Sequence, residues 1–182
     1  MHSLGQKILL LLSSGIAFGY SYTPRRQFNV LKGMVEEWKA INKRELRYEI
    51  KKLYNSRLVA RRENADGSFT LVLTEKGRLK ALTYRFQKMK ISRENWDKKW
   101  RIVIFDIPEK LRKGRDALRE KLKDLGFYEL QKSVFVFPYQ CEDEINFIIE
   151  FFGLRKFVRT GVLESVDNEI HLKNIFGLDK IK

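Results

Sequence analysis

The spacing of apolar residues at the start of the chain predicts two helices. Residues 4–20 are apolar on nearly every side, which is typical of a helix that is buried on more than one face. Residues 23–40 open with a Thr-Pro pair that suits the first positions of a helix, and their apolar side chains recur every three or four residues. Both segments are therefore expected to contribute to the core of the first half.

A third helix is predicted at residues 42–57. Asn42 and Glu45 form a capping-box pair, in which the Asn side chain accepts from a free amide and the Glu reaches back to the cap. The inward face of this helix consists of Leu46, Ile50, Leu53 and Tyr54. The opposite face is cationic with one aromatic side chain, and consists of Lys43, Arg44, Arg47, Tyr48 and Lys51.

Two short strands after the third helix predict a β-hairpin. They cover residues 58–62 and 69–74, and the turn between them contains Asn, Asp, Gly and Ser. A further helix should begin with Thr74 as its cap and bury Leu79, Leu82, Phe86 and Met89. Consecutive helices followed by a basic hairpin are the order of a winged helix-turn-helix domain. We assign this domain to residues 1–95, with residues 90–99 as the linker.

The second half of the chain alternates strands and helices. The pattern is strand, helix, two strands, helix and strand, which is the ferredoxin-like βαββαβ plan. The predicted fold class is therefore α+β, with a ferredoxin-like domain at residues 96–182. Residues 168–176 fit either a helix or a strand. The strands are at 100–105, 127–130, 133–137 and 157–164, one helix follows Pro108, and the other covers 142–152.

The positive charge is concentrated in the first half. The whole chain has a formal charge of +14. Residues 1–99 contain 22 Lys and Arg against 9 Asp and Glu, or +13, whereas residues 100–182 contain 15 against 14, or +1. A cationic domain joined to a near-neutral one indicates a polyanionic partner for the first and a role such as assembly for the second. A basic surface that merely keeps the protein soluble is the alternative.

The predicted partner is double-stranded DNA, with residues 42–57 as the recognition helix. Arg44 and Arg47 are expected to contact guanine edges or phosphates, and the sequence leaves both open. Phosphate contacts are assigned to Lys43, Lys51, Arg61 and Arg62 in the helix and hairpin, and a phosphate hydrogen bond to Tyr48. A solvated helix face is the competing interpretation.

Cysteine content and hydropathy favour a cytoplasmic protein. Cys141 is the only cysteine, so an intrachain disulfide is excluded. The apolar run 8–12 resembles the hydrophobic part of a secretion signal, but it is too short to span a bilayer and is followed by cations. We therefore predict no membrane partner.

The second half contains a segment whose motifs resemble a known family. The segment WDKKWRIVIFDIPEKLRKGRDALREKLKDLGFYELQKSVFVFP, residues 96–138, resembles the central domain of PaaX repressors. Its matching motifs are a strand ending in Asp, a basic helix, a Leu-Gly-Phe junction and a Ser-Val-Phe-Val strand. That central domain is similar to the ferredoxin-like nuclease subunit of the CRISPR spacer-acquisition complex. The first half of the chain resembles the family's winged-helix domain more loosely.

The resemblance implies a DNA-binding transcriptional regulator that dimerises through its ferredoxin-like domain. PaaX repressors carry a third, C-terminal domain, which this sequence is expected to lack. We therefore do not expect sensing of phenylacetyl-coenzyme A, and any small-molecule effector is unassigned. Repression is the favoured mode of regulation.

Asp106 is the one carboxylate that suggests an enzymatic alternative. By resemblance it lies where the CRISPR subunit carries its metal-binding Asp, so two copies across a dimer axis would hold one Mg²⁺ for phosphodiester hydrolysis. Alternatively, its oxygens accept from amides at the start of the following helix. No cofactor is predicted for the regulator, and Mg²⁺ would be required only by the nuclease. A third alternative is a protein-interaction module.

Overall fold

The computed structural model describes residues 4–14, 18–20, 42–67 and 69–178, and the chain divides into two compact units, residues 1–88 and 89–182. The first unit contains the helices α1 (Leu4–Ser13), α2 (Lys43–Asn55) and α3 (Glu75–Lys88). Its strands are β1 (Phe18–Tyr20), β2 (Val59–Glu63) and β3 (Phe69–Leu73), which form one antiparallel sheet in the order β1-β3-β2. The helix predicted at 23–40 lies outside the described residues.

The first helix is shorter than its apolar pattern predicts. It ends at Ser13, and the hydroxyls of Ser13 and Ser14 donate to the carbonyl oxygens of Leu10 and Leu11 at 2.6 and 2.8 Å. These bonds occupy carbonyls of the last turn. Residues 18–20 then pair with β3 instead of continuing the helix. The predicted helix at 4–20 is thus wrong at residues 18–20, because a strand partner remote in sequence decides the conformation there.

The core of the first unit is formed by α1, α2, α3 and the sheet. Three of the four predicted inward side chains of α2, namely Leu46, Ile50 and Leu53, are buried in it. The prediction was wrong for Tyr54, which is 44% exposed. Tyr54 lies at the flank of the helical stripe, where its ring contacts a cation of the hairpin instead of the core.

Helix α3 begins as predicted but buries a different face. The Thr74 hydroxyl accepts from the amide of Gly77 at 3.0 Å, which confirms the cap. The buried residues are Gly77 and Ala81, whereas Leu79 and Leu82, predicted to be buried, are 61% and 39% exposed. A Cβ atom at position 77 would collide with the carbonyl oxygen of Leu58, so close approach selects the small residues.

The second unit has the predicted βαββαβ order. Its antiparallel sheet has the strand order β5-β6-β4-β7, the arrangement of a ferredoxin-like fold. The chain between the last strand and residue 178 includes a helix, which resolves the ambiguity at 168–176. The elements are β4 (Trp100–Phe105), a 3-10 turn (Glu109–Leu111), α4 (Arg112–Asp124), β5 (Tyr128–Gln131), β6 (Val134–Phe137), α5 (Glu142–Phe151), β7 (Val158–Leu163) and α6 (Glu169–Phe176).

Residues 89–99, most of which the sequence predicted to be the linker, make contacts within the second unit. The Arg93 guanidinium donates to the carbonyl of Leu125 at 3.4 Å, and the rings of Trp96 and Trp100 lie 5.3 Å apart. The Asp97 carboxylate pairs with Arg101, whose side chain is buried. This ion pair holds the pKa of Asp97 well below its usual range, at about 2, despite the opposing effect of burial. The polar composition of the segment reflects these anchoring contacts.

Two smaller features of the described residues bear on the sequence expectations. Among them, no helix is both long enough and apolar enough to cross a membrane. Cys141 is a buried free thiol, and burial raises its pKa to about 12, with Glu142 adding to the effect. This thiol is therefore held in its unreactive protonated form.

Candidate nucleic-acid interface

The candidate interface is built on α2, whose beginning is fixed by its cap. The side-chain oxygen of Asn42 accepts from the amide of Arg44 at 2.9 Å, as expected for an N-cap residue. The apolar residues of α2 face the core, so the helix cannot rotate without exposing them. Its outward face is therefore presented in one orientation.

The outward face of α2 carries most of the predicted binding residues. Arg44, Arg47 and Lys51 are exposed, and Tyr48 between them is 66% exposed. Positions 44, 47, 48 and 51 follow the three- and four-residue spacing of one helical stripe. The side chain of Lys43 lies outside the described part of the structure. The helix contains five cationic and two acidic residues, a net charge of +3.

The two arginines of the hairpin point to opposite faces of its sheet. Arg61 pairs with Leu71, and Arg62 pairs with Thr70 in the adjacent register position. Since paired residues share a face and neighbours alternate, Arg61 shares the face of the buried Leu71, which packs in the core with α2, while Arg62 points away. The sequence assigned a phosphate contact to each arginine, and the register places only Arg61 on the side of the sheet that faces α2.

Arg61 joins the surface of α2 through Tyr54. Its guanidinium carbon lies 4.8 Å from the centroid of the Tyr54 ring, a cation–π contact. The contact brings a hairpin cation to the flank of the helical stripe. We call this set of six side chains the α2 surface: Arg44, Arg47, Tyr48, Lys51, Tyr54 and Arg61.

The tip of the hairpin is not cationic. Residues 59–67 contain Arg61 and Arg62 but also the exposed acidic residues Glu63 and Asp66, so the net charge of this segment is zero. Asn64 holds the tip through hydrogen bonds with the Thr70 hydroxyl at 3.0 and 3.2 Å. The positive potential of the first unit's described residues therefore depends more on α2 than on the hairpin.

Two residues near the interface were not predicted. Tyr54 was assigned to the core, although a residue at the edge of the apolar stripe can be either buried or exposed. Arg57 follows Ser56, the C-cap residue of α2, and is exposed. Its φ angle of 57° is uncommon for a residue other than glycine, and the sequence gives no direct signal of it beyond its place after the helix.

Asp106, the candidate metal ligand, lies at the end of β4. Its amide donates to the carbonyl of Phe157 at 3.0 Å, and the residue is exposed. Within the described part of the chain, no group of three or more His, Cys, Asp or Glu residues is placed to hold a metal ion. The nearby Arg112 and Arg115 form ion pairs with Glu109 and Asp116.

One face of the second unit's sheet is partly open. Val103 and Phe135 pair across β4 and β6 and are buried, whereas the next pair, Ile104 and Val134, points to the other face. Ile104 is 44% exposed, and Gly161 on β7 is exposed as well. We call this side, which also includes Ile102, the open sheet face.

A comparison with protein families matches a part of the second unit. Residues 93–173 match the family model described as the PaaX protein central Cas2-like domain. The match starts in the segment that packs onto the second unit and ends within α6. No curated protein matched the chain.

Proposed function

Because residues 93–173 match the family model of the PaaX central Cas2-like domain, we propose that the protein is a DNA-binding transcriptional regulator that acts as a homodimer. Repression is the simplest mode, because a protein bound across an operator blocks access to it. The first unit is the DNA-binding domain in this proposal, of the winged helix-turn-helix type, and the second is the dimerisation domain. Localisation to the cytoplasm follows from this role.

The observation that supports DNA binding most directly is the α2 surface. It combines a capped helix, a fixed apolar face and three exposed helical cations, with a fourth from the hairpin stacked on Tyr54. A single helix of this kind fits the major groove of B-form DNA. Arg44 and Arg47, near the helix N-terminus, are placed where recognition helices contact base edges.

The remaining α2-surface cations are assigned to the phosphate backbone. Lys51 lies one to two turns further along the helix, and Arg61 lies beside its end. Flexible cations at such positions neutralise phosphates and set the register of the protein on the duplex. Lys43 is included in this set from its sequence position.

The open sheet face is the proposed dimer contact. Its side chains Ile102, Ile104 and Val134 are apolar and incompletely covered within one chain. A two-fold axis through this face would cover the same surface on both copies and would present two α2 helices to a palindromic operator. Ile104→Arg is expected to convert the dimer to a monomer in sedimentation equilibrium, because a charge on each copy would be buried at the axis.

Selection of bound sites from random DNA duplexes tests the proposal. The expected result is an enriched palindromic motif, shifted without cleavage by the full chain. Arg44→Ala and Arg47→Ala should each relax the selected motif at specific base pairs, whereas Lys51→Ala should weaken all sites alike. Recovery of no motif, with no affinity for duplex DNA, would contradict the proposal.

A further inference from the structure

Arg57 occupies a backbone conformation that arginine rarely adopts. It lies between α2 and β2, with a φ angle of 57° in the left-handed region. Side chains with a Cβ atom are disfavoured there, and glycine or asparagine is the usual occupant of the position after a helix. An arginine at this place therefore lowers the stability of the fold relative to glycine.

The hydrogen bonds around Arg57 show why the backbone has this shape. The amide of Arg57 donates to the carbonyl of Tyr54 at 2.9 Å, and the amide of Leu58 donates to the carbonyl of Leu53 at 3.0 Å. This is the Schellman arrangement that ends a helix, and it requires a left-handed residue at position 57. The Thr74 hydroxyl also donates to the Arg57 carbonyl at 2.7 Å.

The end of α2 does not need the arginine side chain. The Lys76 ammonium donates to the carbonyl of Ser56 at 3.2 Å, which already places a cation at this terminus. Backbone amides occupy the carbonyls of Lys52, Leu53 and Tyr54. Among the described residues, the Arg57 guanidinium makes no hydrogen bond or ion pair. Its charge therefore does not stabilise the described fold through either kind of contact.

We propose that Arg57 is a further phosphate-binding residue, retained for its charge at the expense of backbone strain. The inference rests on the proposed DNA-binding function and extends its surface. Arg57 is exposed and lies in the three-residue connection between the helix that carries Lys51 and the strand that carries Arg61. Strained residues that the surrounding structure holds in place are characteristic of functional positions. The partner group is a phosphate of the duplex backbone, since a flexible cation beyond the helix end contacts no base edge.

The test measures stability and DNA affinity of the same full-length variants. Arg57→Gly removes both the strain and the charge, so its Tm should rise by about 2–5 °C. Its affinity for a labelled mixed-sequence DNA duplex should fall by about three- to tenfold, and the slope of log affinity against log salt should become shallower by about 0.9. Arg57→Lys keeps the charge and should retain the wild-type slope.

Lys98 provides a matched control. It is also an exposed cation with a positive φ angle, 62°, but it lies in the second unit. Lys98→Gly changes the net charge equally and relieves the same type of strain. Its Tm should rise, while its DNA affinity and salt slope should remain those of the wild type.

The outcomes separate this inference from the proposed function. If the wild-type protein does not bind the duplex, the proposed function fails, and the inference fails with it. If the wild type binds and Arg57→Gly binds with the same affinity and salt slope, the inference alone is overturned. A Tm of Arg57→Gly below that of the wild type would overturn the claim that the arginine strains the backbone.

Discussion

Helices α2 and α4 have equal length and equal formal charge, yet they use their cations differently. Each has 13 residues and a net charge of +3. On α4, Arg112 and Arg115 pair with acidic residues before or within the helix, and Arg119 and Lys123 both pair with Glu129 on β5. Lys123, with help from Arg119, lowers the pKa of Glu129.

On α2, the ion pair found among the described side chains is on the flank, between Lys52 and Glu49 at 3.8 Å. Arg44, Arg47 and Lys51 are exposed on the outward face and have no acidic partner within the described part of the chain. The comparison shows that a charge count does not identify a nucleic-acid surface. What distinguishes the two helices is whether acidic side chains close by, within the helix or on another element, already pair with most of its outward cations.

Charge reversal on the two helices should give the largest contrast. Arg44→Glu combined with Arg47→Glu is expected to lower duplex DNA affinity by at least about 100-fold, because two attractive contacts become repulsive. The matched pair Arg112→Glu with Arg115→Glu on α4, both ion-paired cations, changes the net charge equally and should alter affinity by less than about threefold. Fluorescence anisotropy at a fixed salt concentration measures the DNA affinity of both double variants. Equal losses of affinity would contradict the proposed difference between α2 and α4.

Removal of a buried cation in the second unit should reduce stability instead of binding. Arg101 is buried and contacts Asp97, Glu142 and the carbonyl of Pro138. Arg101→Met should lower the free energy of unfolding by about 2 kcal/mol, a value reduced from that of a fully buried pair because Asp97 is partly exposed. Urea unfolding checks the value, and DNA affinity at low urea should be unchanged. If Arg101→Met lost DNA affinity but kept the wild-type free energy of unfolding, Arg101 would have a role in DNA binding and not in stability.

The same ion pair predicts an acid-dependent loss of stability. The folded-state pKa of Asp97 is about 2, below its ordinary value, so its stabilising effect is present above pH about 4. It is lost as the pH falls from about 4 to 2. The urea midpoint should therefore decline across this range in the wild type and decline less in Arg101→Met. Parallel profiles in the two proteins would show that the pair does not cause the shift.

The contact between Tyr54 and Arg61 should have the smallest effect. Tyr54→Ala removes the ring on which Arg61 stacks and is expected to lower DNA affinity by about two- to fivefold, as for an exposed cation–π contact. Tyr54→Phe keeps the ring and should bind as the wild type does. Once Arg61 has been replaced by Ala, the additional substitution Tyr54→Ala should not lower DNA affinity further. Additive losses in the double variant would show that the two side chains act separately.

The sequence predicts those features that local patterns determine. The Asn42 cap, the hairpin turn and the order of elements in the second unit each depend on residues close together in the chain. The short strand β1 could not be predicted, because its conformation comes from pairing with β3. The buried face of α3 was missed for a similar reason, since the close approach of Leu58 requires glycine at position 77 and puts the face of Gly77 and Ala81, not that of Leu79, in the core.

The candidate site was predictable in composition but not in arrangement. The helical stripe through Arg44 and Lys51 follows from helix periodicity alone. Strand alternation would have separated Arg61 from Arg62, but which of the two faces α2 depends on the register with β3. The neutralising role of Glu129 towards α4 depends on tertiary contacts, so the sequence alone could not distinguish the two cationic helices.

The salt dependence of DNA binding by the full-length protein tests the central claim most directly. Four phosphate-contacting cations per subunit, Lys43, Lys51, Arg57 and Arg61, predict a slope of log affinity against log salt of about −3 to −4 for each subunit. Removal of α2 cations should make the slope shallower one step at a time, while changes on α4 should leave it constant. A slope near zero, or one that responds equally to both helices, would contradict the account.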